Sequence, residues 1–269
     1  SVGGSYGLQV GWGSTGNRMV VADGGRVVCL SGVSDVGRPT GSISNTILVT
    51  GSGSVFLNAG YQGVGILGSY NNLTIADGGK VVTDSASVGG NGIGNMASTH
   101  PPIVTDTGSL WQVTGTLSLG FGSYNQLIVS NGAEVSAASM TVGNTASAKS
   151  NSFTVTQGAA VTNIGTLTVS TNNIVNVYGG GTLSVNTLSL QPNAQLGVDV
   201  ATPGNFAVRS GAPMVLTGTV NPINLPRSGR RTIAILSSVG ALTGSLTLGP
   251  LPAGYTGSIT TNQPAAPNQ

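Results

Sequence analysis

Along most of the chain a polar residue is followed by apolar side chains at +2 and +4, a glycine turn at +6 to +8, and a further apolar side chain at +10. The segment Asn71 to Val81, NNLTIADGGKV, shows the frame most clearly, with Leu73, Ile75, Gly78, Gly79 and Val81 in those places. It recurs from Asn17 (Met19, Val21, Gly24, Gly25, Val27), Asn45 (Ile47, Val49, Gly53, Val55) and Asn125 (Leu127, Val129, Gly132, Val135). Further copies start at Asn151 (Phe153, Val155, Gly158, Val161) and Asn173 (Val175, Val177, Gly180, Gly181, Leu183). One copy begins at His100 (Pro102, Val104, Gly108, Leu110), with histidine in place of asparagine. Each start follows the one before it at an interval in the twenties. Such a period predicts a solenoid in which each copy is one coil.

A second extended piece follows in the later part of the copies: Leu117-Ser-Leu119, Met140-Thr-Val142, Leu167-Thr-Val169 and Leu188-Ser-Leu190. Alternation of apolar and hydroxyl side chains puts one face in the core and the other in water. No helical period appears, so the expected fold is all-β, a parallel β-helix (β-solenoid) of about seven coils. In that fold, residues sharing a place in the frame lie about 4.8 Å above one another. The +2 and +4 places become interior columns. Asn17, Asn45, Asn71, His100, Asn125, Asn151 and Asn173 become a ladder of side chains bonding to one another and to the backbone at a bend.

The two ends read differently. Residues 1–16 resemble the second half of a repeat, since Leu8-Gln-Val10-Gly11-Trp12 leads into Asn17 much as Leu117-Ser-Leu119-Gly120 leads into Asn125. The expected division is residues 1–190 as repeats and 191–269 as terminal irregular coils or a small β cap with an assembly tail. Ala194–Val200, Ala207–Leu216 and Thr232–Leu236 read as strands, with prolines confined to their edges and turns. The Pro-rich end is expected to add as a strand to the open edge of another copy. Loss of residues 257–269 should then abolish assembly.

Composition narrows the possible functions. Charged residues make up 6% of the chain, against about 25% in an average soluble protein. Nine basic and seven acidic side chains give a net charge of +2, no footprint for nucleic acid or an anionic membrane. The only basic cluster, Arg227, Arg230 and Arg231, reads as a solvated turn. Cys29 is the sole cysteine, so no intramolecular disulfide forms, and it reads as a small buried hydrophobe. No apolar run is long enough to cross a bilayer as a helix, so no membrane insertion is expected. A chain opening on Ser1 reads as a processed one whose leader has been removed.

The units NNLTIADGGKV, GSYNQLIVSNGAEV and VTDTGSLWQVTGTLSLG resemble the glycine-rich repeats of bacterial autotransporter passengers and of PEP-CTERM-associated surface proteins. The ending LTGSLTLGPLPAGYTGSI is similar to the segment that often follows such repeats. The resemblance implies the right hand of the β-helix, and export to the outside of the cell or the bacterial surface.

Chemistry is sparse. Asp23, Asp77 and Asp106 all precede the turn glycine at +6, where Asn131 also stands, and an Asx there caps its own backbone. Asp77 and Asp106 on neighbouring coils could hold a cation weakly, but no basic partner repeats beside them. His100 is the only histidine, and no nucleophile elbow, phosphate loop or calcium nonapeptide is present. No catalytic residue, cofactor or metal is therefore assigned. The expected function is structural: an extracellular rod joined head to tail with copies of itself. Leu8, Val10 and Trp12 at one end, and Tyr255 and Ile259 at the other, are the expected assembly contacts. The second reading is an adhesin binding surface glycans through Trp12 or Trp111. The third is a polysaccharide-active enzyme using Asp77 or Asp106. Tyr6, Tyr70 and Tyr124 share GSY contexts and read as a corner stack.

Overall fold

The computed structural model describes residues 6–90, 101–200, 208–225, 236–239 and 241–260. His100, the arginine cluster at 227–231, most of the Thr232–Leu236 run and the tail beyond residue 260 lie outside the described residues. Within them the chain is all-β, with no helix, and two parallel sheets wind together as a β-solenoid.

The ten-stranded sheet takes one short strand from each coil. Its first seven strands, from Arg18–Val21 to Ile174–Val177, are the seven copies of the frame in order. Leu73, Leu127 and Phe153 lie in this one sheet, and all three are buried. The +4 column runs Val21, Val49, Ile75, Val104, Val129, Val155, Val177 and Val198 without a break in register. Stacking continues past residue 190, because Gln195–Asp199, Thr219–Ile223 and Thr247–Leu248 extend the same sheet.

The 13-stranded sheet contains the longer second pieces, such as Leu110–Leu119, Glu134–Val142 and Ala160–Val169. Register between neighbours breaks midway along these strands, for example between Ser136 and Ser139. The inward residues change parity there, from Val135 and Ala137 to Met140 and Val142. Each long strand is thus two short ones joined at a bulge that turns a corner. Near both ends the halves separate outright, into Arg26–Cys29 and Val33–Val36, and into Val208–Ser210 and Met214–Leu216. A coil therefore presents three faces around one apolar interior, and Cys29 closes one strand with its thiol fully buried and free.

Two places in the frame need correction. Val55 and Leu110, counted at the apolar +10 place, pair with Lys80 in the outward column. Phe56 and Trp111 occupy the inward one, beside Val81. In these two copies the turn is one residue longer. Positive φ falls on Gly51 and Gly53 in one and on Asp106 and Gly108 in the other, against Asp77 and Gly78 in the short form. One extra residue exchanges the two faces of a strand. The added length also places Ser54 and Ser109 in the core, where their hydroxyls accept the backbone N–H of Gly24 and Gly78 in the coil below.

Candidate functional site

The ladder is the most ordered polar feature. Asn17 donates its backbone N–H and its Nδ2 to Asn45 Oδ1, each at 2.9 Å. Asn45 repeats this with Asn71, at 3.0 and 2.9 Å. Beyond the His100 copy, Asn125 donates both groups to Asn151 (2.8 and 3.0 Å) and Asn151 to Asn173 (3.0 and 2.9 Å). All these bonds run one way, from the earlier coil to the later. Asn45, Asn71, Asn125, Asn151 and Asn173 are almost wholly buried, and Asn45, Asn71, Asn151 and Asn173 each accept the backbone N–H of the preceding asparagine in the ladder.

A column of glycines makes room for the ladder. Gly11, Gly37, Gly89, Gly120 and Gly143 end the second strands with positive φ. A Cβ on any of them would come within 2.3 Å of the asparagine side chain of the next coil. Gly65 belongs to the same column, its N–H donating to the Val36 carbonyl. After Asn173 the ladder stops, for Ala194 and Gly218 take the ladder place in the next two coils. The glycine column stops at the same level: Ser170, Gln191 and Thr217 continue it and bond through the same backbone positions. The two columns are one structural device.

The acidic residues are dispersed. Asp23, Asp77 and Asp106 have φ of 54°, 51° and 72°, the left-handed conformation of a tight turn. Asp77 accepts a hydrogen bond from Thr50 at 2.9 Å, and Asp106 one from its neighbour Thr105 at 3.3 Å. Among the described residues no three His, Cys, Asp or Glu side chains converge as metal ligands would.

Asp35 is the exception, and no sequence pattern marks it. It stands on an outward position of Val33–Val36, yet is only 1% exposed, and it forms the sole ion pair among the described residues, with Arg38 Nε at 2.9 Å. Burial pushes its carboxyl above the usual aspartate range, and the Arg38 guanidinium works against that shift. A raised pKa means that the folded state holds this proton more tightly than the unfolded one. The contribution to stability is thus present at low pH and is lost as pH rises from about 3.9, the unfolded value, through the folded value. Asp35→Asn should flatten this fall, and urea midpoints of both proteins across that window test it.

The aromatic residues separate into two kinds. Trp111 is fully buried in the interior column, so it cannot lie against a glycan, which corrects its assignment to a binding strip. Trp12 is 51% exposed, Tyr70 48% and Tyr124 53%. The tyrosines occupy the place before Asn71 and before Asn125, with the His100 copy between them, so they do not stack on adjacent coils.

At the first coil, Tyr6–Val10 pairs only with Val33–Val36, and Arg18–Val21 only with Thr46–Thr50, among the described residues. Val10 is buried, and Leu8 and Met19 are partly buried against the core. At the other end the chain folds back after Leu248. Ile259 packs against the protein's own core, and Leu251 and Tyr255 are half-buried with it. The Tyr255 N–H donates to the Pro252 carbonyl at 3.1 Å, closing a turn in this segment. Comparison with protein-family models, curated proteins and solved structures finds no match to the chain, so residue geometry alone carries the functional argument.

Proposed function

We propose that the protein is a structural element of the extracellular or bacterial surface, a charge-poor rod that lengthens when copies stack end to end. The observation behind this reading is the unbroken parallel register of the ten-stranded sheet, together with an end whose strands pair on one side only among the described residues. A further coil of the same cross-section, supplied by a second copy, would continue both sheets and cover Leu8 and Met19. Strand edges of this kind are templates for pairing. The scarcity of ions supports the same reading, because few charges would need to be desolvated where coil meets coil.

The segment around Tyr255 and Ile259 then acts as a removable cover on the receiving end. It reverses the expectation for truncation: removal of residues 250–269 should expose the core beneath and promote assembly. Sedimentation and electron microscopy over a concentration series should show longer rods, of unchanged width, at lower concentration for the truncated chain. Adding Leu8→Lys, which puts a charge on the donating end, should return it to monomers. A truncated chain that stays monomeric, or one that still assembles with Lys at position 8, sinks the proposal.

A further inference from the structure

A shallow groove of about 610 Å³ lies on the outer surface between the coils that begin at Asn173 and the end of the described chain. Asn172, Asn193, Gln195, Thr219, Asn221 and Pro250 line it. Its size falls within the range of ligand sites, about 300–1,000 Å³. Asn172 and Asn193 occupy the same turn place in adjacent coils, with φ of 60° and 61°, and the Asn172 N–H donates to the Asn193 carbonyl at 3.2 Å. Gln195 and Thr219 are register partners on the adjoining face, and Asn221 Nδ2 donates to Gln195 Oε1 at 2.7 Å. The outward column beside them contains Gly197 and Gly249, where a Cβ would come within 2.3 Å of Asn176 Oδ1 or 1.9 Å of Asn221 Oδ1. The Asn176 and Asn221 carboxamides fill the space that side chains there would take.

We infer that this groove is a binding site for a neutral oligosaccharide. Four amides and a hydroxyl offer donors and acceptors in equal measure, which is what a row of sugar hydroxyls requires. None of the six lining residues is ionisable, so nothing there would offset the desolvation of a charged ligand. The backbone of Gln195–Asp199 is paired on both sides, so an extended peptide finds no free edge to join. The groove stands apart from the first-coil edge, and of its lining residues Pro250 alone belongs to the segment covering the other end.

The test is a titration of the full chain with neutral hexasaccharides (cellohexaose, maltohexaose, chitohexaose and mannohexaose), followed by NMR of the side-chain amides. At least one should bind saturably and shift the amide signals of Asn172, Asn193, Gln195 and Asn221. The double variant Asn172→Gly/Asn193→Gly removes two amides while retaining a residue that accepts positive φ. Its affinity should drop roughly tenfold or more, two neutral hydrogen bonds being lost, with an unchanged melting midpoint. The inference is overturned if no hexasaccharide shifts those signals, or if the double variant binds as tightly as the parent.

Discussion

Gly120→Ala should destabilise the solenoid by about 2–5 kcal/mol, although it adds a single methyl group. Two costs combine. At φ 82° an L side chain is strained by about 1–2 kcal/mol, and overpacking commonly costs about 1–3 kcal/mol. The overpacking is specific, because the added Cβ would stand 2.3 Å from Asn151 Cγ and Oδ1. Asn151→Ala should be comparably harmful for the opposite reason. It removes the acceptor of the buried Asn125 backbone N–H, at about 1–3 kcal/mol, and one of the acceptors of Asn125 Nδ2, which keeps the Gly122 and Ser123 carbonyls. Combining the two changes relieves the collision, so the double variant should be more stable than the sum of the single losses predicts, by about 1–3 kcal/mol. The chain itself contains the combined state: Ser170 below Ala194 and Gln191 below Gly218 hold the corresponding places, and neither Ser170 nor Gln191 has positive φ. Urea midpoints for the four proteins complete the cycle, and hydrogen exchange locates the loosened coils, since repeat arrays lose structure locally. Strict additivity, or a Gly120→Ala protein as stable as the parent, would sink the coupling.

The asparagine ladder was legible in the sequence because a stacked fold imposes one place in the frame on every coil. Leu73, Leu127 and Phe153 could be assigned to one interior face for the same reason. The glycine column was visible as residues and not as a partner of the ladder, since each glycine approaches an asparagine of the following coil, more than a full repeat further along the chain. The signal existed all the same, for both series end together after Asn173. Val55 and Leu110 were misplaced by a single step of the frame. Glycine at +8 without glycine at +7, in just those two copies, marks the longer turn that moves Phe56 and Trp111 inward. Asp35 gave no signal, because its strand alternation calls for a wet position and only the folded chain brings Arg38 back across it. The amide groove was equally hidden. It joins turn residues of two coils to strand residues of two coils and to Pro250, which no sequence window contains together.

Trp111→Ala is expected to cost about 3–5 kcal/mol, the range for emptying the site of a large buried aromatic. Trp111 stands between Val81 and Val135 in the interior column, so its loss opens a void bounded by smaller aliphatic side chains on both neighbouring coils. Trp111→Phe should be far milder, within about 1.5 kcal/mol of the parent. The indole Nε1 is buried without a hydrogen-bond partner, and an unpaired buried donor costs about 1–3 kcal/mol. Phenylalanine sheds that cost and so offsets part of the volume lost. Trp12→Ala, at a half-exposed position, should change stability much less than Trp111→Ala. Fluorescence separates the two indoles: in Trp12→Phe the remaining emission should be blue-shifted and poorly quenched by acrylamide, and in Trp111→Phe it should be red-shifted and readily quenched. Had Trp111 lain on the surface as a sugar platform, Trp111→Ala would leave the melting midpoint almost unchanged and its emission would lie to the red. Either result would remove this side chain from the core, and with it the single-step shift that places Phe56 beside it in the column.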